Sequence, residues 1–413
     1  MIAPSAPACR FCAARLRDSF VDLGMSPLCE KFVKPDQLHE PDRLYPLHAW
    51  ICRDCLLVQL EAVVTPGELF SDYAYFSSYS DSWVTHARNY CDAVVGRFSL
   101  TDRHRIVEIA SNDGYLLQHF AARGLPVLGI EPAANVARKA IERGIPTEIR
   151  FFGADAAAEI VARQGRADLI VGNNVIAHVP DLNDFVAGLK QLLAADGVIT
   201  LEFPHLVRLI EHSQFDTIYH EHFSYFSLLT AERVLRSHSL QVFDVEELQT
   251  HGGSLRIYVQ HDGSGGHRVT PLVERVLQEE RRGGFDRLEG YGGFSAKVEA
   301  VKSALRAFLE RAKAEGKRVA GYGAPGKGNT LLNYCGVGPE LLEFTVDRNP
   351  HKHGLFTPGT RIPISHPDRI AEARPDFVLI LPWNLKDEIV AQLSYVREWG
   401  GRFVVPIPSL RVF

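Results

Sequence analysis

Residues 105–131 constrain the fold of this chain more than any other stretch. Ile106-Val107-Glu108-Ile109-Ala110 is a short apolar run of strand type, Ser111-Asn112-Asp113-Gly114 a polar turn, 115–123 an amphipathic helical stretch, and 126–130 a second strand ending in Glu131. Strand, tight turn, helix and strand in that order open a doubly wound parallel sheet, which takes nucleotides where the first strand ends against a helix amino terminus. The turn lacks a dinucleotide fingerprint, because Ala110 and Asn112 stand where glycines would be and only Gly114 remains. Glu131, about 20 residues further on, is placed to accept both hydroxyls of a ribose.

A ligand with a ribose and no phosphate fits both features. S-adenosylmethionine meets that description, while NAD stays open on this loop alone. A third strand, 167–172, runs into Asn173-Asn174-Val175-Ile176-Ala177-His178-Val179-Pro180, and 198–204 reads as the last parallel strand. The alternating runs 240–248 and 254–260, joined by Thr250-His251-Gly252-Gly253, read as an antiparallel hairpin closing the sheet. That closure is common in methyltransferases and uncommon in dehydrogenases. The expected cofactor contacts are Ala110, Ser111, Asn112, Gly114, Glu131, Asn173 and Asn174. Tyr75 joins them from the aromatic segment 73–80, where Tyr79 is expected to touch the second substrate.

Cys9-Arg10-Phe11-Cys12 and Cys52-Arg53-Asp54-Cys55 are two Cys-x-x-Cys knuckles, a complete donor set for one tetrahedral zinc ion. With four protein ligands no coordination position is left for a substrate, so the metal is expected to staple a short module. The count of seven cysteines is odd, which disfavours a disulfide scaffold; Cys29, Cys91 and Cys335 read as buried thiols.

Tyr219-His220-Glu221-His222 crowds four ionisable groups just beyond the last parallel strand. Transfer of a methyl group to carbon requires that carbon to lose a proton, and histidine is the side chain best matched to that task near neutral pH. In an extended backbone His220 and His222 would face away from Tyr219 and Glu221, so one ligand meets all four only if the chain turns. An incidental polar loop and a second metal site remain alternatives.

Past a charged, mostly helical stretch, 271–314, a second α/β alternation begins: strand 318–322, glycine-rich loop 323–329, short helix 330–334, strands 342–347 and 377–381, long helix 384–399 and strand 402–406. Gly321-x-Gly323-x-x-Gly326 with Asp347 about 20 residues on matches a dinucleotide fingerprint. Lys327 and a helix start at Asn329 equally suit the diphosphate of a sugar nucleotide.

A formal charge of -5 and no long Lys/Arg run make nucleic acid a poor partner, as they do for the alternative of a zinc-knuckle RNA-binding protein. No apolar stretch approaches the roughly 18 residues of a membrane span, and the first residues do not read as a signal peptide, so a cytoplasmic protein without membrane contact is expected.

The double knuckle, 108–114, 173–180, 219–225 and 321–329 together resemble, in order and over nearly the whole chain, the nucleotide-sugar C-3' methyltransferases of deoxysugar biosynthesis. The resemblance implies an α/β protein: a class I S-adenosylmethionine methyltransferase core, an amino-terminal four-cysteine zinc module and a carboxyl-terminal second Rossmann-like domain. Boundaries are expected at 1–70, 71–265, 266–316 (helical connector) and 317–413. The implied substrate is a nucleotide-diphosphate-linked 4-keto-6-deoxyhexose, with His222 as base, Tyr219, Glu221 and His178 around the sugar, and His220, Gly323, Lys327 and Asn329 as further substrate contacts. A monomer or weak homo-oligomer is expected. A zinc-containing NAD-dependent sugar-nucleotide dehydrogenase is the competing enzyme.

Overall fold

The structure, a computed structural model, describes residues 7–70, 77–79 and 81–413, except the side chains of Pro66, Phe70, Tyr79 and Asp81. Tyr75 therefore lies outside the described residues, as does the side chain of Tyr79.

At the centre is a seven-stranded sheet in the order Leu240–Leu248, Ser254–His261, Leu193–Pro204, Ala167–Asn173, Ile106–Ile109, Val127–Ile130, Thr147–Glu148. Ile106–Ile109 is buried at every position, as a parallel strand covered on both faces must be. The strand order reverses between Ile106–Ile109 and Ala167–Asn173, which opens a crevice beyond their carboxyl ends. The hairpin closes the sheet as expected: Ser254 pairs with Leu248 on one side and with Pro204 on the other, both antiparallel. Helices Leu182–Leu192 and Leu228–Ser237 cover it, each begun by a side-chain cap, Asp181 accepting from the Asp184 N–H and Ser227 from the Thr230 N–H.

A second sheet, in the order Ile364–Ser365, Thr345–Val346, Val319–Tyr322, Phe377–Ile380, Arg402–Val405, Arg411–Val412, is parallel except at its last strand. Its helix begins at Gly326 and runs to Cys335, earlier than the glycines suggested, because extended Pro325 stands at its cap. The long helix expected at 384–399 is three short pieces, Trp383–Leu385, Lys386–Gln392 and Ser394–Trp399. The stretch 271–314 is no free spacer. Pro271–Arg282 buries Val273, Val276 and Leu277 in the central core, whereas Phe294–Ala314 buries Val298, Leu305 and Leu309 in the carboxyl-terminal core.

The amino-terminal module is a small antiparallel sheet, Asp18–Ser26, Tyr45–Ile51 and Val58–Leu60, and its fourth strand comes from elsewhere. Ser224–Tyr225 adds to its edge, with Val58 opposite Tyr225 and Gln59 opposite Ser224. Further contacts join it to the carboxyl-terminal part of the chain: Phe20 stacks on Phe294 at 4.7 Å, Val33 bridges Phe356, and Arg361 pairs with Asp42.

Candidate active site

A cavity of 1180 Å³ is lined by the loops at the carboxyl ends of both parallel sheets and by Glu30 and Gly67 of the amino-terminal module. Small-molecule pockets commonly hold about 300–1,000 Å³, so this one has room for two ligands at once.

On the central-sheet side, Ala110 and Asn112 adopt left-handed backbone and line the cavity with Glu131, Asn173 and Asn174. The Glu131 carboxylate is held by the N–H groups of Asn112 (3.0 Å) and Ala133 (2.8 Å). Burial nevertheless pushes its pKa up to about 7. The Asn173 and Asn174 side chains are polar groups at the cavity wall, Asn173 beside the Tyr115 hydroxyl and Asn174 with its Nδ2 3.3 Å from His251 Nε2. Two expected contacts do not reach the cavity. Ser111 is fully buried, its hydroxyl pressed against Gly129, and Gly114 packs on Ala140 and Ile145; the tight turn directs them into the sheet–helix seam. Trp83, Tyr115, Phe151 and Phe152 line this side as well, and nothing in their local sequence marked them out.

The Tyr-His-Glu-His segment is a turn, closed by the His222 N–H on the Tyr219 carbonyl at 2.8 Å. It resolves the facing problem by sending Tyr219, Glu221 and His222 to the cavity with His178, and His220 the other way. His220 is thereby removed from the expected substrate contacts: its Nε2 lies 3.3 Å from the Pro46 carbonyl and its ring meets Tyr45 edge-on. The His222 ring lies 4.0 Å from that of Tyr219 and 4.6 Å from that of His178, centroid to centroid. Its Nδ1–H donates to the Thr217 carbonyl at 2.7 Å, which leaves the lone pair on Nε2. Burial, then His178, hold His222 well below the usual imidazole pKa; burial brings His178 down to about 4.

The zinc module supports this turn directly. Leu60 N–H donates to the Phe223 carbonyl at 3.0 Å, Arg10 stacks over the Phe223 ring, and Arg10 Nη1 donates to the Pro180 carbonyl at 2.8 Å. The module itself is organised on Cys9, Cys12, Cys52 and Cys55, whose sulfurs all lie within 4.8 Å of one another. Tetrahedral Zn–S bonds of about 2.3 Å require sulfurs slightly under 4 Å apart, which the pairs Cys9–Cys55 and Cys12–Cys52, each at 3.5 Å, approach. The Gln59 amide donates to the Cys9 sulfur at 3.1 Å, an outer contact of the kind that orients a metal ligand. The donor set fits a structural zinc ion.

On the second-sheet side, Gly323 (φ +88°) and Lys327 line the cavity; a Cβ on Gly323 would lie 2.6 Å from Pro382. Lys327 bonds Asn384 and lies over the Trp383 ring, and burial lowers its pKa against the opposing pull of Asp216. Asp347 accepts from the N–H groups of Ala324 (2.7 Å) and Asn349 (2.8 Å), close to Lys352. This repeats the way Glu131 is held in the first sheet. Asn329 is not a cavity residue: with the helix starting at Gly326 it falls in the second turn, fully buried, and donates to the Cys29 carbonyl at 2.6 Å. Arg348, Lys352, Glu30 and His251 line the cavity too; they come from three segments far apart in sequence, and only the fold assembles them.

Fold and cavity together define an S-adenosylmethionine-dependent methyltransferase built around a zinc module. Comparison with known proteins agrees. The sequence matches family models for a zinc binding domain (residues 9–70), a methyltransferase domain (83–245) and a C-methyltransferase C-terminal domain (249–408). The C-methyltransferase NovU of Streptomyces niveus is 39% identical over 404 residues, covering 98% of this chain and 96% of that protein. Solved structures with likeness to part of the chain include magnesium protoporphyrin IX methyltransferase of Synechocystis PCC 6803 with bound SAM (14% identity, 44% of this chain and 82% of that one, TM-score 0.33). Another is an S-adenosylmethionine-dependent methyltransferase of Clostridium acetobutylicum ATCC 824 (9% identity, 44% and 92%, TM-score 0.35). The chain belongs to the C-methyltransferase family, with S-adenosylmethionine as methyl donor and zinc in its amino-terminal module. The dehydrogenase alternative finds no support in these matches.

Proposed function

We propose that the acceptor is a nucleotide-diphosphate-linked 4-keto-6-deoxy sugar and that the methyl group is added at its C-3'. The observation that carries this reading is the 219–222 turn, which gathers a base with a defined tautomer, a phenol and a carboxylate between the cofactor loops and a second nucleotide-type sheet. His222 Nε2 takes the C-3' proton, and the electron pair of the broken C–H bond moves toward the 4-keto oxygen. Tyr219 or His178 donates a hydrogen bond to that oxygen, and Glu221 holds a sugar hydroxyl or orients an imidazole. S-adenosylmethionine supplies the electrophilic methyl group. The enolate carbon forms the new C–C bond as the bond between methyl and sulfur breaks, leaving S-adenosylhomocysteine, and the proton on His222 passes to solvent.

Asn112, Glu131, Asn173 and Asn174 hold the methyl donor in this reading, and Gly323 and Lys327 meet the nucleotide end of the acceptor, with Arg348 and Lys352 adding positive charge. We take the units to be 1–70, 71–265, 266–316 and 317–413, and the protein to act in the cytoplasm as a monomer or weak homo-oligomer without nucleic acid. Among the described residues no helix is long and apolar enough to cross a membrane.

The test is incubation with S-adenosylmethionine and a panel of nucleotide-4-keto-6-deoxyhexoses, read by mass spectrometry. Gain of one methylene by a member of the panel is expected. Methylation of a hydroxyl or amine in its place would overturn the reading.

A further inference from the structure

The hairpin turn 250–253 is held far more tightly than joining two strands requires. His251, Gly252 and Gly253 are three successive residues with positive φ, +53°, +90° and +121°. Thr250 Oγ1 donates to the buried Glu202 carboxylate at 2.9 Å, and Glu202 is itself fixed by Arg256 (2.6 Å) and His86 (3.0 Å). The Gly252 carbonyl accepts from the Gln214 amide at 2.8 Å, and a Cβ on Gly252 would lie 2.5 Å from the Trp383 ring. The turn is thus clamped between the central sheet and the carboxyl-terminal domain. What it presents to the cavity is the His251 imidazole.

Around that ring stand Trp83, edge-on at 5.2 Å, and Asn174, whose Nδ2 is 3.3 Å from Nε2. An amide nitrogen can only donate, so Nε2 accepts and the ring proton is on Nδ1. Burial, then Lys327, bring the His251 pKa down to about 4, so the ring is neutral and stays a hydrogen-bond donor near pH 7. Non-glycine residues held in unusual backbone against a cavity are where function is to be sought.

Resting on the keto-sugar reading above, we infer that His251 is a further catalytic residue, donating its Nδ1–H to the acceptor oxygen that gains negative charge as the carbon-bound proton leaves. The imidazole remains neutral and transfers no proton. It acts as a fixed dipole at the developing oxyanion, complementing His222, which removes the proton.

The left-handed backbone makes a clean test available. Glycine and asparagine both tolerate positive φ, so His251→Gly and His251→Asn should keep the turn, the first without a side chain and the second with an amide donor. Three quantities are read: S-adenosylhomocysteine affinity by calorimetry, deuterium wash-in at C-3' of the keto sugar with S-adenosylhomocysteine bound, and methyl transfer. For His251→Gly, melting at or above wild type and affinity within about twofold are expected, with wash-in and transfer each down about 100-fold or more. His251→Asn should regain about tenfold of that loss. Unchanged wash-in in His251→Gly, or a loss confined to S-adenosylhomocysteine affinity, overturns the inference and leaves the keto-sugar reading standing. Absence of wash-in by the wild-type protein across the whole panel overturns both.

Discussion

His222 Nδ1 is fixed by the Thr217 carbonyl, so the ring has one lone pair, on Nε2, the atom proposed to take the proton. His222→Gln should cut methyl transfer and C-3' exchange together by about 10²–10⁴, the usual worth of a general base, while donor affinity by calorimetry changes little. Burial and the neighbouring His178 depress the His222 imidazole, so on its proposed role as base the acid limb of kcat/KM should fall below the ordinary histidine range. A bound diphosphate adds negative charge that favours imidazolium, so the limb of kcat should lie higher than that of kcat/KM; coincident limbs would show that the substrate does not load the base. The same burial has a stability consequence with a definite sign. His178 and His251, each near 4 when folded, bind fewer protons than the unfolded chain does, so their neutral burial costs nothing above about pH 6.5 and destabilises progressively as pH falls toward 4. Denaturant unfolding should show a loss on the order of 1 kcal/mol or more per group by pH 5.

Among the elements, the hairpin turn offers a paired prediction. Gly252→Ala would drive a Cβ into Trp383 at positive φ and should cost about 2–4 kcal/mol in chemical denaturation; Gly263→Ala, also at positive φ but with nothing within 4 Å, should cost only about 1 kcal/mol. The central parallel strands and the hairpin were legible in the sequence, because strands buried on both faces leave unbroken apolar runs such as Ile106–Ile109 and glycines mark the turn. The helix at Gly326–Cys335 began earlier than its glycines suggested, since a glycine-rich stretch reads as loop until Pro325 is seen to cap it. At the site, the knuckles and the 219–222 cluster announce themselves by local density of chemistry. Glu30, His251 and Lys352 do not, because each is ordinary in its own segment and meets the others only through long-range packing.

Taken whole, the molecule makes its zinc module part of the active site's scaffold rather than an appendage. Ser224–Tyr225 is an edge strand of the module's sheet, two residues past His222. Cys52→Ser should therefore lower zinc content and melting temperature, and the remaining folded protein should also lose methyl transfer while still binding S-adenosylhomocysteine; zinc loss with unchanged melting would contradict a structural role. The docking of the module on Phe294, Phe356 and Arg361 has a further consequence in the growing polypeptide. Asp42 and its partner Arg361 are separated by 319 positions, so at ribosomal speeds of about 5–20 residues per second the first-made module waits roughly 15–60 s for the surface it docks on. During that interval its cysteines can already be gathered on a cation, but Phe20 and Val33 lack the partners that cover them in the finished protein. A nascent chain of this design is thus most vulnerable to chaperone capture or self-association while that module stands alone, and its release depends on Phe294, Phe356 and Arg361 arriving.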